Sequence, residues 1–277
     1  MKGEKVQVAI TPHGNADSIV QLSDGGSVFV KPYEITEPFE QAVLEIYNQE
    51  KYQKADVATR YLQTQNDNLR GEYAKIFADV QDPIPWAREA LEQDPDAVNF
   101  WLGNSYSVSA THKDNYENIY FQVCGKKHFV LMPPVEAPCV NERSVLAATY
   151  QPRDASTKSS DLRKKDLQIH IDEPEVYIPS VTWDPDEPLH NTTPYSEYAR
   201  PLRVTLDAGD TLYLPALWYH KVSQSCGADH ISCSINYWYD LEYSGTFWST
   251  AKFVQNIGLL SLHNSEEATE NDMEKRG

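Results

Sequence analysis

The stretch from Ser109 to Pro134 reads SATHKDNYENIYFQVCGKKHFVLMPP. A histidine and an aspartate stand two residues apart, ahead of two apolar runs separated by a glycine. Residues two apart on an extended chain share a face, so His112 and Asp114 present a nitrogen and an oxygen to one metal ion. Ile119 to Val123 and Lys127 to Met132 read as strands around Cys124-Gly125, and Pro133-Pro134 close the second. With Cys124-Gly125 as a two-residue turn, Val123 pairs with Lys126 and Gln122 with Lys127. Cross-strand partners share a face, so Lys127 joins Asn118, Tyr120 and Gln122 on the side of His112 and Asp114. A lysine facing a metal cavity needs an anion. A dicarboxylate that chelates the metal at one end and pairs with the lysine at the other meets that need. Taken alone, Lys127 also reads as an ordinary surface lysine in a turn.

Chance has to be weighed against this reading. With 8 histidines and 41 acidic residues in 277, composition alone gives about one His-x-Asp/Glu triplet. The chain has two, His112-Lys113-Asp114 and His170-Ile171-Asp172. The second lies in a charged, proline-rich stretch with no paired strands after it, and the later histidines offer it no matching context. The first leads into the strand pair. A third ligand for it comes from Gly209 to His220, GDTLYLPALWYH, where a glycine turn launches an apolar strand, a proline ends it and a histidine follows. Two imidazoles and one carboxylate leave about three coordination positions open, the facial arrangement of non-heme iron(II) oxygenases. Zinc accepts the same ligands.

Elsewhere, Lys5 to Thr11, Ser27 to Val30, Val57 to Gln63 and Ala97 to Leu102 read as strands. Glu37 to Gln49, Leu69 to Val80 and Pro85 to Leu91 read as helices. Residues 150–200 form a long charged excursion. Strands resume at Leu202 to Leu206, Thr211 to Leu214 and His230 to Tyr239, and Phe247 to Leu262 is amphipathic and free of proline. Helices, then many short strands, then a closing helix suggest a β-sandwich or barrel with helices packed outside it.

The net charge is −17. It disfavours a general binder of nucleic acid or anionic membrane and permits a basic protein partner. No apolar run reaches roughly 18 residues, so no membrane span is expected. Cys124, Cys139, Cys226 and Cys233 form no C-x-x-C pair and read as free thiols in a reducing compartment.

Together these motifs resemble the Jumonji C (JmjC) family of 2-oxoglutarate oxygenases, most nearly its JmjC-domain-containing protein seven subgroup of lysyl hydroxylases. The likeness rests on His112-x-Asp114, Lys127 and His220. It extends to AVNFWLG (97–103), HKDNYENIY (112–120), GKKHFVLMPP (125–134), YLPALWYHKV (213–222) and NYWYDLEY (236–243). The resemblance implies a mainly β fold, a double-stranded β-helix (a cupin-like jelly-roll) with flanking α-helices. It divides the chain into an N-terminal α/β part (1–95) packing on the barrel, a JmjC core (96–240), a C-terminal helix (241–263) and a disordered tail (264–277), all effectively one domain. The chain is expected to begin partway into the family's N-terminal region.

The resemblance further implies Fe(II) on His112, Asp114 and His220, which are then also the catalytic residues. It implies 2-oxoglutarate reaching Lys127, with Tyr61 and Ser109 (where threonine is more usual) beside it and Asn118, Tyr120 and Asn236 lining its pocket. Trp218, Tyr219, Trp238 and Tyr239 are expected to supply a dry wall around the substrate, although aromatics at strand spacing more often serve the core. The implied reaction is C-3 hydroxylation of a lysine on a protein, such as a translation-factor-related GTPase. Oxygen is consumed, and succinate and CO2 are released. A cytoplasmic location that extends to the nucleus and a homodimer belong to the same expectation. The rivals are a JmjC-type histone lysine demethylase, a metal-dependent peptidase (for which H-E-x-x-H is lacking) and a metal-free cupin-like binding protein.

Overall fold

Strands β1 (Lys5–Thr11), β2 (Asn15–Ala16), β3 (Ser18–Gln21), β4 (Ser27–Lys31) and β5 (Tyr33–Pro38) lead into helix α1 (Phe39–Lys51). β6 (Thr59–Tyr61), α2 (Ala74–Phe77) and α3 (Pro85–Leu91) follow. The chain then runs through β7 (Ala97–Gly103), β8 (Val108–Lys113), β9 (Tyr116–Cys124), β10 (Lys126–Met132), β11 (Glu142–Pro152), β12 (Leu167–Ile171) and β13 (Tyr177–Val181). It continues through β14 (Leu202–Leu206), β15 (Thr211–Leu214), β16 (Tyr219–Ser225) and β17 (Ser232–Asp240) and closes with α4 (Thr246–Glu274). This computed structural model describes residues 1–23, 25–81 and 83–274.

Two sheets make the curled half-barrel. One has the order β14-β10-β16-β8-β2 and the other β15-β9-β17-β7. Consecutive strands β8, β9 and β10 alternate between the two sheets, as do β14 to β17, which is the winding of a double-stranded β-helix. The fold is mainly β and cupin-like, as expected. β9 and β10 therefore do not form a hairpin. β9 pairs with β15 and β17, and β10 pairs with β14 and β16. Gly125, at φ +70°, carries the chain from one sheet to the other. The facing of side chains survives this correction, because inward positions of both sheets point into one interior. Lys127, Asn118, Tyr120 and Gln122 are buried, while Lys126, Phe121 and Val123 are exposed.

The N-terminal part does more than pack on the barrel. β2 pairs in parallel with β8, and β4 pairs in parallel with β11. β1, β5 and β6 form a third sheet under α1, whose Ala42 and Ile46 are fully buried. A core of Val6, Val8, Ile10, Leu62, Phe100 and Tyr237 joins this layer to the outer face of β7 and β17.

Other expectations shift. The helix expected over Leu69 to Val80 shrinks to α2. Asp67 and Asn68 instead accept from the backbone N–H groups of Val98 (2.8 Å) and Phe100 (2.7 Å), a local alternative to helix that short polar side chains favour. The excursion at 150–200 is ordered: β12 and β13 both pair with β11. His170 of β12 is exposed there, and Asp172 pairs with Lys31 at 2.7 Å, so this second triplet is no ligand set. The tail expected to be disordered continues α4 through 264–274, a stretch with no glycine or proline that holds several strong helix formers. Residues 275–277 lie outside the described residues.

Candidate metal centre

His112 and His220 are Cα partners in the antiparallel pair of β8 and β16, so their side chains share a face. Their ring centroids are 4.2 Å apart. Asp114 follows directly after β8. Its backbone carbonyl accepts from Leu217 N at 2.8 Å, which ties it to the turn before β16. Leu217 holds φ +66°, a left-handed conformation unusual for leucine, of the sort found where a site dictates the backbone. Asp114 Oδ2 lies 3.7 Å from His112 Nε2 and 3.5 Å from His220 Nε2. The three ligand atoms fall within 4.8 Å of one another, the one such group among the described residues.

The imidazole tautomers follow from their partners. His112 Nδ1 is 2.7 Å from Ala110 O, and His220 Nδ1 is 3.0 Å from Trp218 O. A carbonyl only accepts, so each Nδ1 carries the proton and each Nε2 presents its lone pair to the centre. Burial, together with the neighbouring His112, lowers His220 to about 4, so it is neutral and free to coordinate at neutral pH. Two imidazole nitrogens and a carboxylate are the donor set of a divalent first-row metal.

A cavity of about 450 Å³ opens beside the three ligands. Tyr61, Ser109, Asn118, Tyr120, Asn236 and Trp238 line it, all expected from sequence. Trp101 Nε1 donates to Asn236 Oδ1 (2.7 Å), and Asn236 Nδ2 donates to Asn118 Oδ1 (3.1 Å), so both amides are fixed in orientation. Trp238 stacks on Tyr116, with centroids 4.8 Å apart, and its indole N–H has no partner among the described residues.

Lys127 sits behind this wall. It is 2% exposed and donates to the Tyr61 hydroxyl at 3.0 Å. Among the described residues no carboxylate lies within ion-pair range of it, and burial lowers its pKa to about 7. An uncompensated buried amine behind a cavity that holds a metal triad is what an anionic metal chelator would satisfy.

Three expected wall residues are elsewhere. Alternation along β16 turns His220 inward and therefore Tyr219 outward. Tyr219 packs with Met132 and Trp183, and its hydroxyl donates to Glu142 at 3.1 Å. Trp218 packs beside Leu212 and Val204, outside the cavity. Tyr239 is fully buried in the core shared with the N-terminal layer. Sequence reasoning missed Asp17, Trp101, Glu142 and the β13 edge at Ser180, which also line the cavity. Trp101 lay within AVNFWLG, where strand periodicity gives no sign of the side facing a ligand. Asp17, Glu142 and Ser180 arrive through strand pairings that carry no local signal.

A half-barrel holding two histidines and an aspartate beside a cavity defines the cupin class of metal enzymes. The cupin-like domain family model matches residues 1–245, and the chain belongs to that family in its JmjC branch. It is 38% identical over 239 residues to the human bifunctional peptidase and (3S)-lysyl hydroxylase JMJD7, covering 86% of this chain and 69% of the relative. It is 35% identical to the JmjC domain-containing protein E of Dictyostelium discoideum, covering 88% and 71%. It is 30% identical to the lysine-specific demethylase JMJ32 of Arabidopsis thaliana, covering 99% and 79%. The chain is thus a JmjC hydroxylase/demethylase-family enzyme with a His-Asp-His metal triad.

Proposed function

We propose that this chain is an Fe(II)- and 2-oxoglutarate-dependent oxygenase that hydroxylates C-3 of a lysine side chain on a protein. The observation that carries the reading is the convergence of His112 Nε2, His220 Nε2 and Asp114 Oδ2 beside a cavity backed by the uncompensated Lys127 amine. His112, Asp114 and His220 would hold the iron. When bound, the iron supplies oxidation of a C–H bond by O2, with 2-oxoglutarate converted to succinate and CO2.

The chain's own residues supply the rest. Lys127 and Tyr61 bind the distal carboxylate of 2-oxoglutarate, with Ser109 beside them. Near pH 7 an incoming anion draws a proton onto Lys127 Nζ, because the charged amine then has a partner in place of bare burial. Asn118 and Asn236, held by Trp101, orient the cosubstrate. Tyr120 and Trp238 exclude water from the reacting centre. The substrate is a lysine-bearing protein, and a translation-factor-related GTPase fits the acidic charge of −17 if its target segment is basic. The reading places the enzyme in the cytoplasm; no described helix is long and apolar enough to cross a membrane.

A second reading, lysine demethylation, is favoured by the demethylase relative that aligns along 99% of the chain. Intact-mass analysis of lysine and methyl-lysine peptides after incubation with Fe(II), 2-oxoglutarate and O2 separates the two. Hydroxylation adds one oxygen atom to an unmethylated peptide. Loss of a methyl group from a methylated peptide, with the unmethylated one untouched, would instead establish the demethylase. Cleaved peptide in the same spectrum would mark a peptidase.

A further inference from the structure

Cys124 and Cys233 are Cα partners where β9 meets β17. One step along β17, from Ser234 to Cys233, spans two steps along β9, from Gln122 to Cys124. Val123 is thus the extra residue of a bulge, which brings the Cys124 side chain onto the face of Cys233. The two thiols interact directly. Opposed residues of an antiparallel pair have Cα atoms about 4.5–5.5 Å apart. That lies inside the span of about 4.4–6.8 Å that a disulfide bridges.

The two sulfurs differ as a reacting pair should. Cys233 is buried, whereas Cys124 is only partly buried. The neighbouring Cys233 thiol lowers the Cys124 thiol below its usual range, so the thiolate forms on the less buried residue. Burial pushes Cys139 up to about 11 and Cys226 up to about 12, which leaves those thiols unreactive.

The pair also adjoins the cosubstrate anchor. Cys124 is joined to Lys127 through Gly125 and Lys126 alone. Gly125 is closely packed. A Cβ there would meet Ile231 O and Ser225 O at 2.9 Å and Ser232 Cα at 3.0 Å. Gly125 therefore has little room to move, so fixing Cys124 in a disulfide constrains the short link that carries Lys127.

We propose that Cys124 and Cys233 are an oxidation site at which a hydroperoxide forms a disulfide, and that this disulfide weakens 2-oxoglutarate binding at Lys127. The Cys124 thiolate attacks the distal peroxide oxygen, the O–O bond breaks, and hydroxide or alkoxide leaves and takes up a proton. The Cys233 sulfur, losing its proton, attacks the resulting Cys124 sulfenic acid; the S–O bond breaks and water leaves. Two thiols are oxidised and one peroxide is reduced. The disulfide rests on the thiol geometry alone. Its effect on binding rests on Lys127 being the cosubstrate anchor.

The test treats the full chain with hydrogen peroxide under air and maps cysteines by mass spectrometry without reduction. Binding is then read as the thermal shift caused by 2-oxoglutarate with Mn(II). A Cys124–Cys233 cross-linked peptide, with binding weaker by about tenfold and restored by dithiothreitol, is the expected result. Cys124→Ser, at a half-exposed position, should keep its binding after peroxide. Peroxide that leaves both thiols free, or that joins other cysteines, overturns the oxidation site. A Cys124–Cys233 disulfide with unchanged 2-oxoglutarate binding overturns the coupling to Lys127. If the untreated chain shows no 2-oxoglutarate shift while the disulfide still forms, the cosubstrate reading fails and the coupling falls with it.

Discussion

His112 and His220 face each other across adjacent strands with ring centroids 4.2 Å apart, and each turns Nδ1 back to the carbonyl two residues before it. The repeated local bond gives both rings the same tautomer without a separate orienting side chain. Backbone register therefore sets the ligand geometry, and Asp114 completes it from the end of β8.

The triad should account for metal affinity without being needed for folding. His112→Ala and Asp114→Ala should each weaken Mn(II) binding by about 100-fold or more, because each removes one of three protein donors. Titration calorimetry on apo protein reads this, and unchanged circular dichroism shows that the fold is intact.

Lys127 should make stability depend on pH in a definite direction. Burial lowers its pKa in the folded chain to about 7, from 10.5 when exposed. Between those values the unfolded chain binds more protons, so the lysine's contribution to stability rises with pH across that window. Below about pH 7 the full cost of burying the cation remains. Lys127→Met should remove this slope in urea unfolding of apo protein followed from pH 6.5 to 10. The same variant should raise the KM for 2-oxoglutarate by about tenfold or more.

Tyr61 depends on a glycine. A Cβ at Gly103 would come within 2.7 Å of Tyr61 Cδ2 and 2.5 Å of Gln224 Nε2. Gly103→Ala should cost about 1–3 kcal/mol and displace Tyr61 from Lys127. Thermal melting reads the first effect. A raised KM for 2-oxoglutarate with little change in kcat reads the second.

At the cavity wall, Lys113 pairs with Glu142, whose Oε2 also accepts from Tyr219 (3.1 Å) and from Gln255 of α4 (2.7 Å). Both side chains of the ion pair are mostly buried, at 18% and 14% exposed. Glu142→Ala leaves Lys113 without its anion and α4 without this tie, and should cost about 3 kcal/mol. Urea denaturation measures it, and Glu142→Gln should recover part of the loss by keeping the Gln255 contact.

How much of this was legible before folding follows from the range of each signal. The period of two along His112–Asp114 and Asn118–Gln122 names inward residues wherever a strand pairs, so the triad and Lys127 could be read even though β9 and β10 were assigned to the wrong partners. The partner sheet is set by the crossing at Gly125, and a glycine alone does not distinguish a hairpin from a crossing. Trp218 and Tyr219 were misplaced because the start of β16, one residue before His220, was not visible behind Pro215. The Asp17 and Glu142 contributions depend on long-range pairing of β2 with β8 and on the Lys113 ion pair, which no local pattern encodes.

The central claim is that His112, Asp114 and His220 form an iron centre that turns over 2-oxoglutarate. The direct measurement loads the chain anaerobically with Fe(II) and 2-oxoglutarate, admits oxygen and quantifies succinate, with His112→Ala alongside. Succinate from the wild type and none above background from the variant is the result predicted here. Equal succinate from both, or none from a wild type that binds both ligands, would contradict it.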